Sequence, residues 1–205
     1  MTAELESALA RPGPGDPAAL RRLHERLTDA ARVDGLLDVW YRTLDTPVGS
    51  LLLAATPIGL VRIAFAVQGH DRVLEDLAGR VGPRILVDPR SLDGVARELD
   101  EYFTGRRRAF DLPLDHRLTG GFRADVLAQL PRIGYGGTAS YAEVARAAGR
   151  PRAVRAVGSA CGANPLPIVV PCHRVVRSDG TSGGYAGGSA AKRTLLELEA
   201  AVAAH

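Results

Sequence analysis

The sequence predicts an α+β protein: a small antiparallel sheet with helices, followed by a mainly helical segment that contains a helix-turn-helix. Three observations carry this. Strand-like apolar runs between residues 39 and 67 are separated by Thr46-Pro47-Val48-Gly49 and Thr56-Pro57-Ile58-Gly59, turn signals of a meander. Beyond Gly121 the texture becomes helical. Two short helical stretches there are joined by a tight Gly-containing break, the helix-turn-helix pattern. A chain of 205 residues is long enough for one or two domains with a proper core.

In chain order, Arg11-Pro-Gly-Pro-Gly-Asp16 is a breaker-rich, flexible lead-in. Leu20, Leu23, Leu27 and Ala31 then recur at helical steps between Pro17 and about Leu37, opposite Arg21, Arg22, Glu25 and Arg26. Such a helix could dock on the following domain, self-associate or face DNA. Strands are expected at Val39–Thr43, Gly49–Ala54 and Leu60–Phe65, a helix at Asp71–Ala78 and a short strand at Ile85–Val87. His70 and Asp71 read as loop residues. Ser91 is the expected N-cap of a helix to Phe103, whose apolar face is Leu92, Val95, Ala96, Leu99, Tyr102 and Phe103. Arg106-Arg-Arg108 forms a basic loop that either contacts phosphates or is simply solvated.

The second half reads as a helix at Phe122–Leu130, a Gly-rich turn at Ile133–Thr138, and a helix at Ser140–Ala148. Ser140 and Glu143 have the spacing of a capping box. Gly149-Arg-Pro151 breaks this helix, and Pro151 suits the first turn of the next, Arg152–Gly162. Asn164-Pro165 stops it; Ile168-Val169-Val170 reads as a short buried strand. Residues 177–184 are a polar loop, and Ser189 caps a last helix, Ala190–Ala203. Glu199 lies beside its apolar face, either as a surface charge or as a buried carboxylate with a partner.

Composition narrows the function classes. The net charge of +3 permits nucleic-acid binding without demonstrating it, and Lys192 is the only lysine among many arginines. No apolar run reaches the roughly 20 residues that span a bilayer, so no membrane association is expected. There is no secretory leader pattern, and Cys161 and Cys172 cannot build a disulfide framework, so the expected location is cytoplasmic.

The chemistry concentrates at Pro171-Cys172-His173-Arg174-Val175, a thiol beside an imidazole. An inert buried thiol is one reading, and an activated nucleophile the other. The second helix of the pair, Arg155-Ala156-Val157-Gly158-Ser159-Ala160-Cys161, carries small residues and one Arg. It lacks the polar side chains of a major-groove reader. A smooth Ala/Gly face with a single Arg suits a narrow minor groove, where the Arg acts as a wedge; a helix packed on a neighbour is the alternative.

Together these pieces resemble the O6-alkylguanine-DNA alkyltransferases, the methylated-DNA–protein-cysteine methyltransferases. The resemblance rests on Tyr135-Gly136, Ser140-Tyr141, Arg155-Ala156-Val157-Gly158, Asn164-Pro165, Pro171–Val175, Gly184-Tyr185-Ala-Gly-Gly188, Lys192 and Leu195-Leu196-Glu-Leu-Glu199. Trp40–Gly49 is similar to the start of the family's N-terminal domain, so the likeness covers residues 39–203. It implies an N-terminal extension at 1–38, an RNase H-like α+β domain at 39–115, and a DNA-binding, alkyl-accepting domain at 116–205.

The resemblance also implies roles. Cys172 accepts the alkyl group, His173 activates it through a water, and Glu199 orients the imidazole. Asn164 braces the turn, and Tyr141 meets the target phosphate and the flipped guanine. Arg155 enters the duplex in place of the extruded base, with Ala156, Gly158 and Ser159 on the DNA-facing helix. Pro167, Val175, Tyr185, Ala186 and Gly187 line the pocket; the Cys172 and Val175 carbonyls accept from the guanine amino group, and the Ala186 amide donates to O6. The implied partner is double-stranded DNA carrying O6-alkylguanine, met by a monomer with no cofactor and no metal. Arg123 and Leu127 stand where the family often has Gln and Trp, and Ala186 replaces a Ser of some members. No cysteine precedes Cys161, which excludes a Cys-containing N-terminal zinc site, and residues 1–38 match nothing in the family's core. Two alternatives remain: a protein that binds alkylguanine and passes it to excision repair, and a Cys-His-Glu hydrolase or acyltransferase.

Overall fold

A computed structural model describes residues 16–203. The breaker-rich segment before Asp16 lies outside the described residues. Two units are present, one ending at Leu37 and the other running from Asp38. In the first, helix α1 spans Pro17–Val33. Asp16 caps it, its carboxylate accepting from the Ala18 amide at 2.9 Å, and Pro17 begins it where a missing N–H costs nothing. Gly35, at φ 64°, follows its end, so the helix stops short of Leu37.

The second unit opens with strands β1 (Val39–Thr46), β2 (Gly49–Thr56) and β3 (Gly59–Phe65), the expected antiparallel meander. The tight turns lengthen β1 and β2 beyond the expected runs. In both turns a threonine hydroxyl, Thr46 or Thr56, accepts from the amide two residues on. A fourth strand, β4 (Ile85–Val87), adds parallel to β1, giving the order β3-β2-β1-β4. Helix α2 (His70–Arg80) precedes it, so His70 and Asp71 start a helix rather than a loop.

Both sheet faces are covered. Leu52, Ala54, Val61 and Ala64 cluster with Val73 and Leu77 of α2. On the other face Leu51, Leu53, Ile63 and Phe65 join Val95, Leu99 and Tyr102 of helix α3 (Asp93–Phe103) and the core of the C-terminal half. Residues one apart on a strand point to opposite faces, so the unbroken apolar run of β2 is what a doubly covered strand requires. Ser91 does not cap α3. It lies in a 3₁₀ turn, Arg90–Leu92, and donates its hydroxyl to the Asp88 carboxylate.

The connector to the helical half runs along β3: the Leu60 amide donates to Pro113 O at 2.8 Å and the Asp115 amide to Leu60 O at 2.9 Å. Helices α4 (Gly121–Leu127), α5 (Tyr141–Ala147) and α6 (Val154–Gly162) then pack on one another. α5 has the expected capping box: the Glu143 amide donates to Ser140 Oγ at 3.2 Å, and Glu143 Oε2 accepts from the Ser140 amide at 2.7 Å. α6 starts at Val154, two residues later than expected, because Pro151 and Arg152 are still in the turn. A final helix, α7, spans Gly188–Ala203, so Ser189 is inside its first turn rather than its cap. Among the described residues no helix is long and apolar enough to cross a membrane.

Candidate active site

Ile168–Val170 is not a strand. Pro165, Pro167 and Pro171 remove three amide donors in seven residues, which no ladder position tolerates. The segment coils instead: the Val170 amide donates to Leu166 O at 2.8 Å, and Ile168 takes φ 75°, the only non-glycine at positive φ among the described residues. Ile168 and Val170 are nonetheless buried, as their apolarity demands. Asn164 holds the coil together. Its Oδ1 accepts from the Leu166 amide at 3.0 Å, and its Nδ2 donates to Val170 O at 2.8 Å and to Cys172 Sγ at 3.1 Å.

Cys172, His173 and Arg174 form a single 3₁₀ turn and are all buried. Val175–Val176 follows as a short strand, β6, parallel to Ala139–Ser140, here β5. That pairing ties the thiol turn to the residue that caps α5, and therefore to Tyr141 at its first position.

The electrostatics of the turn centre on Glu199, fully buried on α7. Its carboxylate accepts from His173 Nε2 at 2.9 Å, Arg174 Nε at 2.9 Å, Arg174 Nη2 at 2.8 Å, Tyr102 Oη at 2.7 Å and the Gly136 amide at 3.1 Å. Burial by itself would raise the Glu199 pKa; the donors from His173, Arg174 and Tyr102 outweigh it and hold the group down at about 2. Burial pushes the His173 pKa below its ordinary value, against the pull of Glu199. A neutral imidazole facing an ionised carboxylate carries its proton on Nε2, leaving the Nδ1 lone pair available. Nδ1 is buried and has no hydrogen-bond partner among the described residues.

Burial drives the Cys172 thiol up to about 11, with the Asn164 hydrogen bond and the Lys192 charge opposing it. The sulfur is therefore held as a thiol near neutral pH. Cys161, buried in α6, is pushed up to about 12 by that burial and has no comparable donor among the described residues. Lys192 is fully buried, and its ammonium donates to Val175 O at 2.6 Å.

The remaining expected residues fall on two surfaces. On α6, Val157, Ala160 and Cys161 face the core, while Arg155, Ala156 and Ser159 are exposed. The helix is thus neither wholly packed nor wholly free. Arg155 has no ion pair among the described residues. Tyr141 is half-buried: Gly158 of α6 approaches one side of its ring, and Gly183 packs so closely on its hydroxyl that a Cβ there would collide. Burial raises the Tyr141 pKa, so its phenol keeps its proton as a donor. Pro167 is buried, and Tyr185, Ala186 and Gly187 are partly buried. The Tyr185 ring stands edge-on to His173, with centroids 6.3 Å apart. The basic loop is not a free phosphate site: Arg106 pairs with Asp100 at 2.8 Å, Arg107 with Glu101 at 2.8 Å, and Arg108 donates to Val202 O at 2.9 Å.

Sequence reasoning missed the other partners of Glu199. Arg174 also donates to Ile133 O at 2.6 Å and lies 5.6 Å over the Tyr135 ring, so it is wholly committed inside the protein. The signal was its place next to His173. Gly136 has φ 75°, and a Cβ there would lie 2.6 Å from Ala203 Cβ; the motif pointed to it without a role. Tyr102 was identified only as a core residue of α3. Among the described residues no group of three His, Cys, Asp or Glu side chains is placed to hold a metal ion.

Comparison with known proteins bears on this geometry. The family described as 6-O-methylguanine DNA methyltransferase, ribonuclease-like domain, matches residues 39–116, and its DNA binding domain matches 121–201. The methylated-DNA–protein-cysteine methyltransferase of Mycobacterium bovis is 42% identical over 161 residues, covering 78% of this chain and 92% of that protein. The constitutive enzyme of that name from Bacillus subtilis is 39% identical over 161 residues, covering 78% and 94%. The crystal structure of Mycobacterium tuberculosis O6-methylguanine methyltransferase superposes with TM-score 0.69 at 40% identity, covering 80% of this chain and 93% of that one. A structure of Mycobacterium tuberculosis OGT in complex with DNA gives 0.70 at 40% identity, covering 80% and 94%. With the family matched over most of its length and a thiol, imidazole and carboxylate in one buried cluster, the chain belongs to the 6-O-methylguanine DNA methyltransferases, the methylated-DNA–protein-cysteine methyltransferases.

Proposed function

We propose that the protein repairs DNA by direct reversal, moving the alkyl group of O6-alkylguanine, and of O4-alkylthymine, from duplex DNA to Cys172 once per molecule. The observation that carries this is the arrangement at the sulfur: Asn164 fixes Sγ at 3.1 Å, and the neighbouring His173 offers a free Nδ1 while Nε2 is anchored on Glu199. The thiol proton passes to His173 through an intervening water, and Glu199 stabilises the imidazolium. Sulfur attacks the alkyl carbon in line. The S–C bond forms as the C–O6 bond breaks, and the electron pair leaves with guanine. The Tyr141 phenol donates a hydrogen bond or proton to the ring, and the Ala186 amide donates to O6, as charge develops there. The product thioether has no good leaving group, so the protein is consumed. Thiol and lesion together supply everything exchanged, and no cofactor enters.

The lesion has to leave the base stack, which costs a few kcal/mol. In this reading Arg155 fills the gap from the minor groove, with Ala156, Gly158 and Ser159 allowing close approach; the exposure of Arg155 on α6 supports it. The structure of the M. tuberculosis relative in complex with DNA supports DNA as the partner. We assign the sheet domain to residues 39–115 and the DNA-binding, alkyl-accepting domain to 116–205, acting as a monomer. The carbonyls of Cys172 and Val175 are assigned to the guanine amino group; Lys192 already orients that of Val175.

The test is peptide mass mapping after incubation with a duplex carrying O6-methylguanine. One methyl per protein is expected on the Cys172 peptide, and none in Cys172→Ser, which still binds DNA. Tight lesion binding without an adduct would instead make the protein a non-reacting lesion binder. A duplex carrying O4-methylthymine should give the same adduct. Arg155→Ala should slow repair of duplex lesions more than reaction with free O6-benzylguanine; equal losses would remove Arg155 from the flipping role.

A further inference from the structure

The loop Tyr185–Gly188 has a buttress from the other half of the unit. Phe65 ends β3 and is almost fully buried. Its ring meets the Tyr185 ring edge-on, with centroids 5.4 Å apart and planes at 67°. A Cβ built on Gly187 would lie 2.7 Å from Phe65 Cδ1 and Cε1, so the ring fills the space that any larger residue at 187 would need. Phe65 has little freedom to retreat. It pairs with Leu51 in the sheet, and its amide donates to Gln68 Oε1 at 3.0 Å. β3 is docked on the thiol-side segment as well, the Ile63 amide donating to Pro165 O at 2.8 Å.

The Gly188 amide closes the loop by donating to Tyr185 O at 3.0 Å. Tyr185 therefore stands between Phe65 behind it and His173 in front. Asn164 bonds both Sγ and the coil behind it, which holds the sulfur. The sulfur is thus fixed by Asn164, while the loop rests on a phenylalanine of the sheet.

We propose that Phe65 is a specificity-determining residue: by bracing Tyr185 and Gly187 it sets the width of the alkyl pocket, and hence the size of the group the protein transfers. This rests on the transfer to Cys172 proposed above. Phe65 acts through the loop, by limiting how far it recedes. A shorter side chain at 65 gives the loop room and favours bulky alkyl groups. A longer one at 187 pushes the loop inward and disfavours them.

The experiment compares single-turnover rates on duplexes carrying O6-methylguanine and O6-benzylguanine. Phe65→Leu and Phe65→Ala should raise the benzyl-to-methyl rate ratio by about 10-fold, the order that one or two methylenes are worth in an apolar pocket. Gly187→Ala should lower the ratio by about 10-fold, and the double variant Phe65→Ala/Gly187→Ala should return towards the parent value, because removing the ring relieves the collision. Thermal melts show which variants are folded, and Phe65→Leu carries the test if Phe65→Ala is not. An unchanged ratio in a folded Phe65 variant, or a double variant no better than Gly187→Ala, overturns the proposal while leaving transfer intact. Absence of any adduct on Cys172 of the parent protein overturns the transfer reading as well.

Discussion

Glu199 is the residue on which the cluster turns, and its environment makes its removal predictable. It faces a buried guanidinium at 2.8 Å, and removing one partner of a buried pair leaves the other charge uncompensated. Glu199→Gln should therefore cost about 3–5 kcal/mol of stability, read by urea unfolding. In the proposed transfer it should also slow alkylation by about 10²- to 10⁴-fold, because the imidazolium formed on His173 loses the carboxylate charge that stabilises it. The pH dependence follows from the same group. In the proposed transfer the base is neutral His173, and burial lowers its pKa. The rate should hold as pH falls through neutrality and drop only below the ordinary histidine value of about 6.5. Single-turnover rates between pH 5 and 8 check this; a midpoint above 7 would mean that the base is another group. At this scale the members of the buried cluster were legible because Cys172, His173, Asn164 and Glu199 sit in short motifs. Tyr102 was not, since its bond to Glu199 spans 97 positions and no local pattern encodes it.

At the scale of elements, propensity and capping set most boundaries, and proline chemistry set the main departure. The α5 capping box was readable because Ser140 and Glu143 satisfy each other's local groups. Ser140→Ala should cost about 1 kcal/mol. Tyr141, which the proposed function sets against the lesion, follows the cap directly, so the same variant should weaken binding to lesion-containing duplex; thermal melts and a titration with that duplex measure the two effects. Ile168–Val170 misled because apolarity reports burial, not strand geometry. Three prolines within seven residues and the side chain of Asn164 decided the coil. The β5–β6 pairing was invisible because two-residue strands have no periodicity to detect.

For the molecule as a whole, the buried cluster predicts acid sensitivity. Glu199 is held at about 2 against an ordinary 4.5, so its contribution is present above about 4.5 and is lost as pH falls towards 2, a change of roughly 3 kcal/mol. His173 acts in the same direction. The unfolded chain takes up its proton below about 6.5 while the folded state resists, so stability declines further as pH drops through that value. Urea midpoints at pH 7, 5 and 3 should fall in that order, and Glu199→Gln should flatten the step between 5 and 3. The sequence by itself determined the α+β class, the meander, the paired helices and the thiol motif, because periodicity, turn residues and caps act over a few positions. Only the tertiary structure decided that Arg174 and Tyr102 converge on Glu199, that the arginine loop is spent on internal partners, and that Phe65 of the sheet backs the loop Tyr185–Gly188. Each of these joins groups far apart in the chain. Their meeting is fixed by how the sheet packs against the helical half, a property of the closed core and not of any segment within it.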